Sequence, residues 1–127
     1  MKLRETLHVR TEISNGEHKI SELNYPLQFK EGRVVQVGMD FITGMEGTVS
    51  IKPELLRSSQ ETPRDIIKSI TDIDEFRGWV NGEDFDPSFF VDIPFQRDDV
   101  LRTQVKCNAT ITVTYPVQMW YIVEYEV

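Results

Sequence analysis

The amino-acid sequence predicts a mainly β fold: an antiparallel β-sandwich or jelly-roll-like domain with one α-helix from Pro63 to about Arg77. Three observations predict it. From Val105 to Val127 every second residue is apolar, and Lys106, Asn108, Thr110, Thr112 and Thr114 fall between. This is the period-2 mark of strands with one buried face, because successive side chains leave a strand on opposite sides. Similar runs recur along the chain, separated by turn-forming pairs: Asn15-Gly16, Glu31-Gly32, Asn81-Gly82 and Asp86-Pro87. Only one stretch carries helical spacing. At 127 residues the chain has the size of a single domain, read here as one β-sandwich-like unit over residues 1–127.

In the first strand Leu3, Leu7, Val9 and Ile13 alternate with polar residues, and Asn15-Gly16 follows. A second run carries Leu23, Tyr25, Leu27 and Phe29. If the two were a hairpin with a two-residue loop, Leu7 would face Asn24. A three-residue loop, Ser14-Asn15-Gly16 with Gly16 left-handed, puts Leu7 opposite Leu23 and Leu3 opposite Leu27, so the spacing predicts the bulged loop. The alternative is that these strands are not partners. Pro26 has no N–H for a ladder and predicts an edge or bend.

The third strand is expected over Arg33 to Ile42, with Val35, Val37, Met39 and Phe41 on one face and Val34 and Ile42 on the other. Gly44 and Gly47 bracket a turn before a short strand, Thr48 to Ile51, and Pro53 to Leu56 reads as one helical turn. The helix rests on Thr62 as N-cap, Pro63 at the first helical position, Asp65 near the positive end of the dipole, and Ile66, Ile70 and Ile73 on one stripe. Phe89, Val91, Ile93 and Phe95 alternate in a strand ending near Pro94. The last run is too long for one strand, since 105–127 would span roughly 70 Å at ~3.3 Å per residue. Pro116 is the expected division. Beyond it Trp120 and Ile122 make the second face apolar too, so Val117 to Val127 is expected to be covered on both sides, and the earlier part to keep one face in water.

Composition narrows function. A formal charge of −7, from 14 basic and 21 acidic residues, argues against a protein that neutralises nucleic-acid phosphates. No run approaches the roughly 20 apolar residues of a membrane helix, so no membrane partner is expected. The first residues lack the apolar core of a signal peptide, and cytoplasmic synthesis without one is the expectation. Cys107, the single cysteine, sits at an inward position and reads as a small buried hydrophobe.

Chemistry is sparse. His8 and His18 belong to no zinc-type spacing, and the serines at 58, 59, 69 and 88 lack a nucleophile elbow. Asp72, Asp74 and Glu75 lack the glycine an EF-hand loop needs, whereas Asn81, Glu83, Asp84 and Asp86 around Gly82 form an acidic loop with oxygen ligands suited to calcium. No phosphate-binding glycine motif is present. The expectation is no enzyme, no metal and no cofactor.

Aromatic placement is the remaining signal. Phe89-Phe90 and Trp120-Tyr121-Ile122 put bulky apolar groups on both faces of their strands, which marks Trp79, Phe89, Phe90, Trp120 and Ile122 as candidate interface residues. The leading expectation is a non-enzymatic structural subunit of a larger complex, such as a phage capsid, collar or tail component, partnered by copies of itself or by other subunits and ending in the virion. Two alternatives stand beside it. One is a carbohydrate- or peptide-binding β-sandwich module using Trp79 and the acidic loop, with calcium. The other is an enzyme with a carboxylate site at Asp84 or Asp86.

Overall fold

The computed structural model describes residues 1–24, 27, 30–42, 44–45, 47–56, 64–65, 79–81 and 88–126. Among these described residues nine strands are formed: β1 (Lys2–Ile13), β2 (His18–Leu23), β3 (Gly32–Asp40), β4 (Val49–Leu56), β5 (Arg64–Asp65), β6 (Val80–Asn81), β7 (Ser88–Phe95), β8 (Val100–Cys107) and β9 (Tyr115–Glu126). Their pairings are antiparallel and nested: β1 with β9, β2 with β8, β3 with β7, and β4 with β5 and β6. A chain folded this way is one long ribbon doubled back on itself, with its tip after β4. Rolling the ribbon sets β9 beside β3 and β8 beside β4. The result is a first sheet ordered β1-β9-β3-β7 and a second ordered β2-β8-β4, whose far edge is shared by β6 and β5. It is an antiparallel β-sandwich with the jelly-roll strand order.

The sheets close on a common core because the alternation read from sequence points the apolar residues inward. Val117, Met119, Tyr121, Val123 and Tyr125 of β9 are all buried, and they meet Ile51, Leu55, Leu101 and Val105 of the second sheet within one cluster. Phe89, Val91, Ile93 and Phe95 turn inward along β7 as their spacing predicts, while Phe90 and Pro94 point out. Each fully buried Val, Leu or Ile contributes about 1.5–3 kcal/mol through area removed from water.

Several local readings are corrected. Gly16 is left-handed, with φ of 75°, and Glu17 N–H donates to the Ser14 carbonyl at 3.1 Å, but the turn passes the chain from one sheet to the other. Leu7 therefore faces Tyr121 of β9, and Leu23 faces Leu101 of β8. In β3 the register shifts between Val34 and Gln36, so one extra residue, Val35, is fitted against β9. That bulge turns Val34 inward along with Val37, against the simple alternation.

Pro53 to Leu56 is strand rather than a helical turn, held by β8. Arg64 and Asp65 pair with Leu55 and Glu54 of β4, so the helix expected from Pro63 does not begin there; its remainder, from residue 66 to 77, lies outside the described residues. Lys52 and Pro53 fall between the stretches of β4 that pair with β6 and β5, the place where a missing N–H is tolerated. The final run divides at residues 108–114, before Pro116. Thr110, Thr112 and Thr114 lie in that loop, exposed, and Ile111 alone turns in. Pro116 sits inside β9 where β3 has already ended, at Asp40 opposite Gln118, so that among the described residues β1 alone pairs alongside it.

Candidate functional site

Cross-strand register fixes what stands together on the outer face of the first sheet. Thr6, Ile122, Gln36 and Phe90 form one row across β1, β9, β3 and β7. His8, Trp120, Gly38 and Ser88 form the next. Phe90 is 80% exposed, and Ile122 and Trp120 are half-buried beside it. Trp120 lies flat because Gly38 has no side chain: a Cβ there would overlap the six-membered part of the indole. The bare glycine is thus a seat for the ring, and the two rows make a low apolar platform.

Charge rims the platform. Toward the open end of the sandwich, Arg4 donates to Glu124 at 2.8 Å, Lys2 lies 3.5 Å from the same carboxylate, and Arg33 pairs with Asp92. The Arg4 hydrogen bond, aided by the charges of Lys2 and Arg4 and opposed by partial desolvation, holds the Glu124 carboxyl below the usual carboxylate range. On the other side stand Arg10, Gln118 and Asp40 in a third row. Exposed pairs of this kind are screened by solvent and add little stability.

Three of the five candidate interface residues, Phe90, Trp120 and Ile122, are brought together here. Phe89 is excluded by its strand position, since the neighbour of an outward residue points inward, and it packs against the core. Trp79 belongs to the other side of the molecule. There its ring carries Lys106 Nζ at 4.2 Å and Lys52 Nζ at 5.7 Å from its centroid, with His18 edge-on at 5.9 Å. The cover on the last strand is partial: Trp120 and Ile122 are half-buried but Gln118 is exposed. The outer face of β4 is the better covered, with Ser50 and Glu54 buried; in the stretch from Val105 to Thr114, expected to keep one face in water, Lys106 is half-buried and Asn108, Thr110, Thr112 and Thr114 are exposed.

Around Glu54 a polar chain runs across the second sheet. His18 Nε2 lies 2.7 Å from Gln104 Oε1, and Gln104 Nε2 donates to Glu54 Oε1 at 2.5 Å. Arg102 Nε at 3.5 Å and Lys52 Nζ at 3.7 Å complete the surroundings of the carboxylate. A buried carboxylate so compensated by cations holds strands in register.

At the open end a cleft of about 600 Å³ is lined by Lys2, Lys30, Arg33, Arg97, Glu31 and Glu124 among others. Its charges are mixed. Among the described residues, no three His, Cys, Asp or Glu side chains converge to hold a metal ion, and no helix is long and apolar enough to cross a membrane. His8 and His18 stand on different sheets, and Cys107 ends β8 half-buried, with Sγ 2.9 Å from the Ala109 carbonyl oxygen. The acidic residues at 83–86 and the carboxylates of Asp72, Asp74 and Glu75 lie outside the described residues. No known protein family matches the sequence, and no curated protein is significantly similar to it.

Proposed function

We propose that this chain is a non-enzymatic structural subunit of a protein assembly, of the kind that builds virion capsids, collars or tails, and that it packs the outer face of its first sheet against another copy of itself. The observation that carries the reading is Phe90, 80% exposed in a row with Ile122 and next to Trp120 on its glycine seat. A phenylalanine left in water forgoes roughly 1.5–3 kcal/mol of burial, and contiguous apolar groups rimmed by charge are the usual form of a protein contact surface. The jelly-roll strand order agrees with the virion reading by analogy of fold alone.

The stacking face of Trp79, which a carbohydrate module would use, is occupied by Lys106. That weighs against the sugar-binding alternative. The test is light scattering on the purified protein over a wide concentration range, with Phe90→Ser beside it. The wild type is expected to self-associate as concentration rises, and the variant to associate less at unchanged melting temperature. A wild type that stays monomeric at every concentration, or a variant that associates just as well, refutes the reading.

A further inference from the structure

β1 is an edge strand of twelve residues, and among the described residues only β9 pairs with it. Edge strands of soluble proteins are normally blunted by a proline, a bulge or short length, because their free N–H and C=O groups are a template for another strand. β1 has none of these; its register with β9 runs unbroken from Lys2 to Ile13. Its protection is charge alone, and the pattern of that charge is specific.

We propose that β1 pairs antiparallel with β1 of a second copy, Arg4 of each opposite Glu12 of the other, joining two first sheets into one continuous eight-stranded sheet. This inference rests on the assembly reading above and names a second surface for it. Self-pairing about a two-fold axis allows only registers in which partner numbers sum to an even value, because the two faces must match. Four such registers pair nine or more residues of β1, those summing to 12, 14, 16 and 18. The first opposes Lys2 to Arg10, the second Arg4 to Arg10, and the last sets Glu5 against Ile13. The register summing to 16 avoids all of these.

In that register Arg4 faces Glu12 twice, Leu7 faces Val9 twice and Leu3 faces Ile13 twice, while Glu5 meets Thr11, Thr6 meets Arg10 and His8 meets its own copy. No like formal charges oppose one another, with histidine counted neutral. Outer-face residues Arg4, Thr6, His8, Arg10 and Glu12 are all exposed and within reach of a partner strand. A two-fold edge contact closes at a dimer, so growth beyond two copies needs the Phe90 face as well.

The experiment is done in the Phe90→Ser background, where the sheet face is silenced. Sedimentation is expected to show a dimer there. Arg4→Glu sets two carboxylates against each other across the seam, and Glu12→Arg sets two guanidinium groups there, so each added alone should weaken the dimer by about tenfold or more. Mixing the two variants gives a heterodimer in which one Arg4–Glu12 pair is native and the other is reversed in sign. Both pairs are again attractive, and recovery of this heterodimer is a result that folding defects in either variant would not produce. A monomer in the Phe90→Ser background overturns the edge pairing. So does a dimer that neither charge reversal weakens, or two reversals that fail to recover on mixing. Higher oligomers that survive Phe90→Ser instead overturn the face reading, and the mixing result then judges the edge by itself.

Discussion

Gly38→Ala is the sharpest probe of the platform on the first sheet. The backbone at Gly38 lies outside the left-handed region, so alanine is conformationally acceptable there and the whole cost falls on packing. A Cβ would occupy the space of the Trp120 ring, which must then swing off the sheet. Forcing a methyl group into filled space costs about 1–3 kcal/mol. At ~2.1 cal/mol/K per residue, unfolding 127 residues carries roughly 0.27 kcal/mol/K, so a loss of about 2 kcal/mol lowers the melting temperature by about 7 °C. The assay is thermal unfolding of four proteins: the wild type, Gly38→Ala, Trp120→Ala and the double variant. Once the ring is gone the methyl group has room, so Gly38→Ala should cost less than about 0.5 kcal/mol in the Trp120→Ala background, a coupling of roughly 1.5–2 kcal/mol. Equal costs in the two backgrounds would refute the seating of Trp120 on Gly38.

Two further perturbations follow from hydrogen bonds on either side of β9. Burial pushes the Tyr121 hydroxyl well above the ordinary tyrosine range; its bond to Thr103 Oγ1 at 2.6 Å works against this, and the Glu54 charge adds to it. The folded state therefore holds that proton more tightly than the unfolded chain does. The associated stability is fully present below about pH 10 and is lost as pH rises above it. Tyr121→Phe should cost about 1 kcal/mol at neutral pH and flatten the loss of stability above pH 10 in urea unfolding; an unchanged alkaline slope would contradict the assignment. For Glu124 the sign is opposite: a carboxyl held below its unfolded value stabilises above roughly pH 4.3 and loses that contribution as pH falls. Arg4→Met should raise the Glu124 midpoint in a carboxyl NMR titration, with Lys2 keeping part of the shift; a midpoint that stays put would show that Arg4 is not its main partner.

What is legible in the sequence is what is local. The inward set on β9 and the inward Phe89, Val91, Ile93 and Phe95 on β7 follow from alternation alone, and so does the outward Phe90. Alternation misplaces Val34 because a bulge is fixed by the registers of two neighbouring strands, and nothing in Val34-Val35-Gln36 announces it. The capping pattern Thr62-Pro63-Arg64-Asp65 is equally local, yet Arg64 and Asp65 pair with the free edge of β4. The last run divides earlier than Pro116 suggests, because alternation continues through Cys107 to Tyr115 although the backbone leaves the sheet. For the candidate site, sequence supplies the outward apolar residues but not their company. Gly38 is the member it misses, and its signal is a glycine inside an otherwise unbroken strand pattern.

The failed hairpin between β1 and β2 shows what decides such contests. Asn15-Gly16 permits a hairpin, but β2 has six residues and would satisfy at most half of β1. β9 pairs with all twelve residues of β1, and β2 finds six partners of its own on β8. The nested arrangement thus satisfies both strands at once where the hairpin would leave half of β1 unpaired on that side. The turn chemistry sets a left-handed glycine in either case, so it carries no information about which partner wins. The same count bears on the edge that remains. Its best complement must be of comparable length and must set no like charge opposite β1's own, and read backwards about His8, β1 meets both conditions itself.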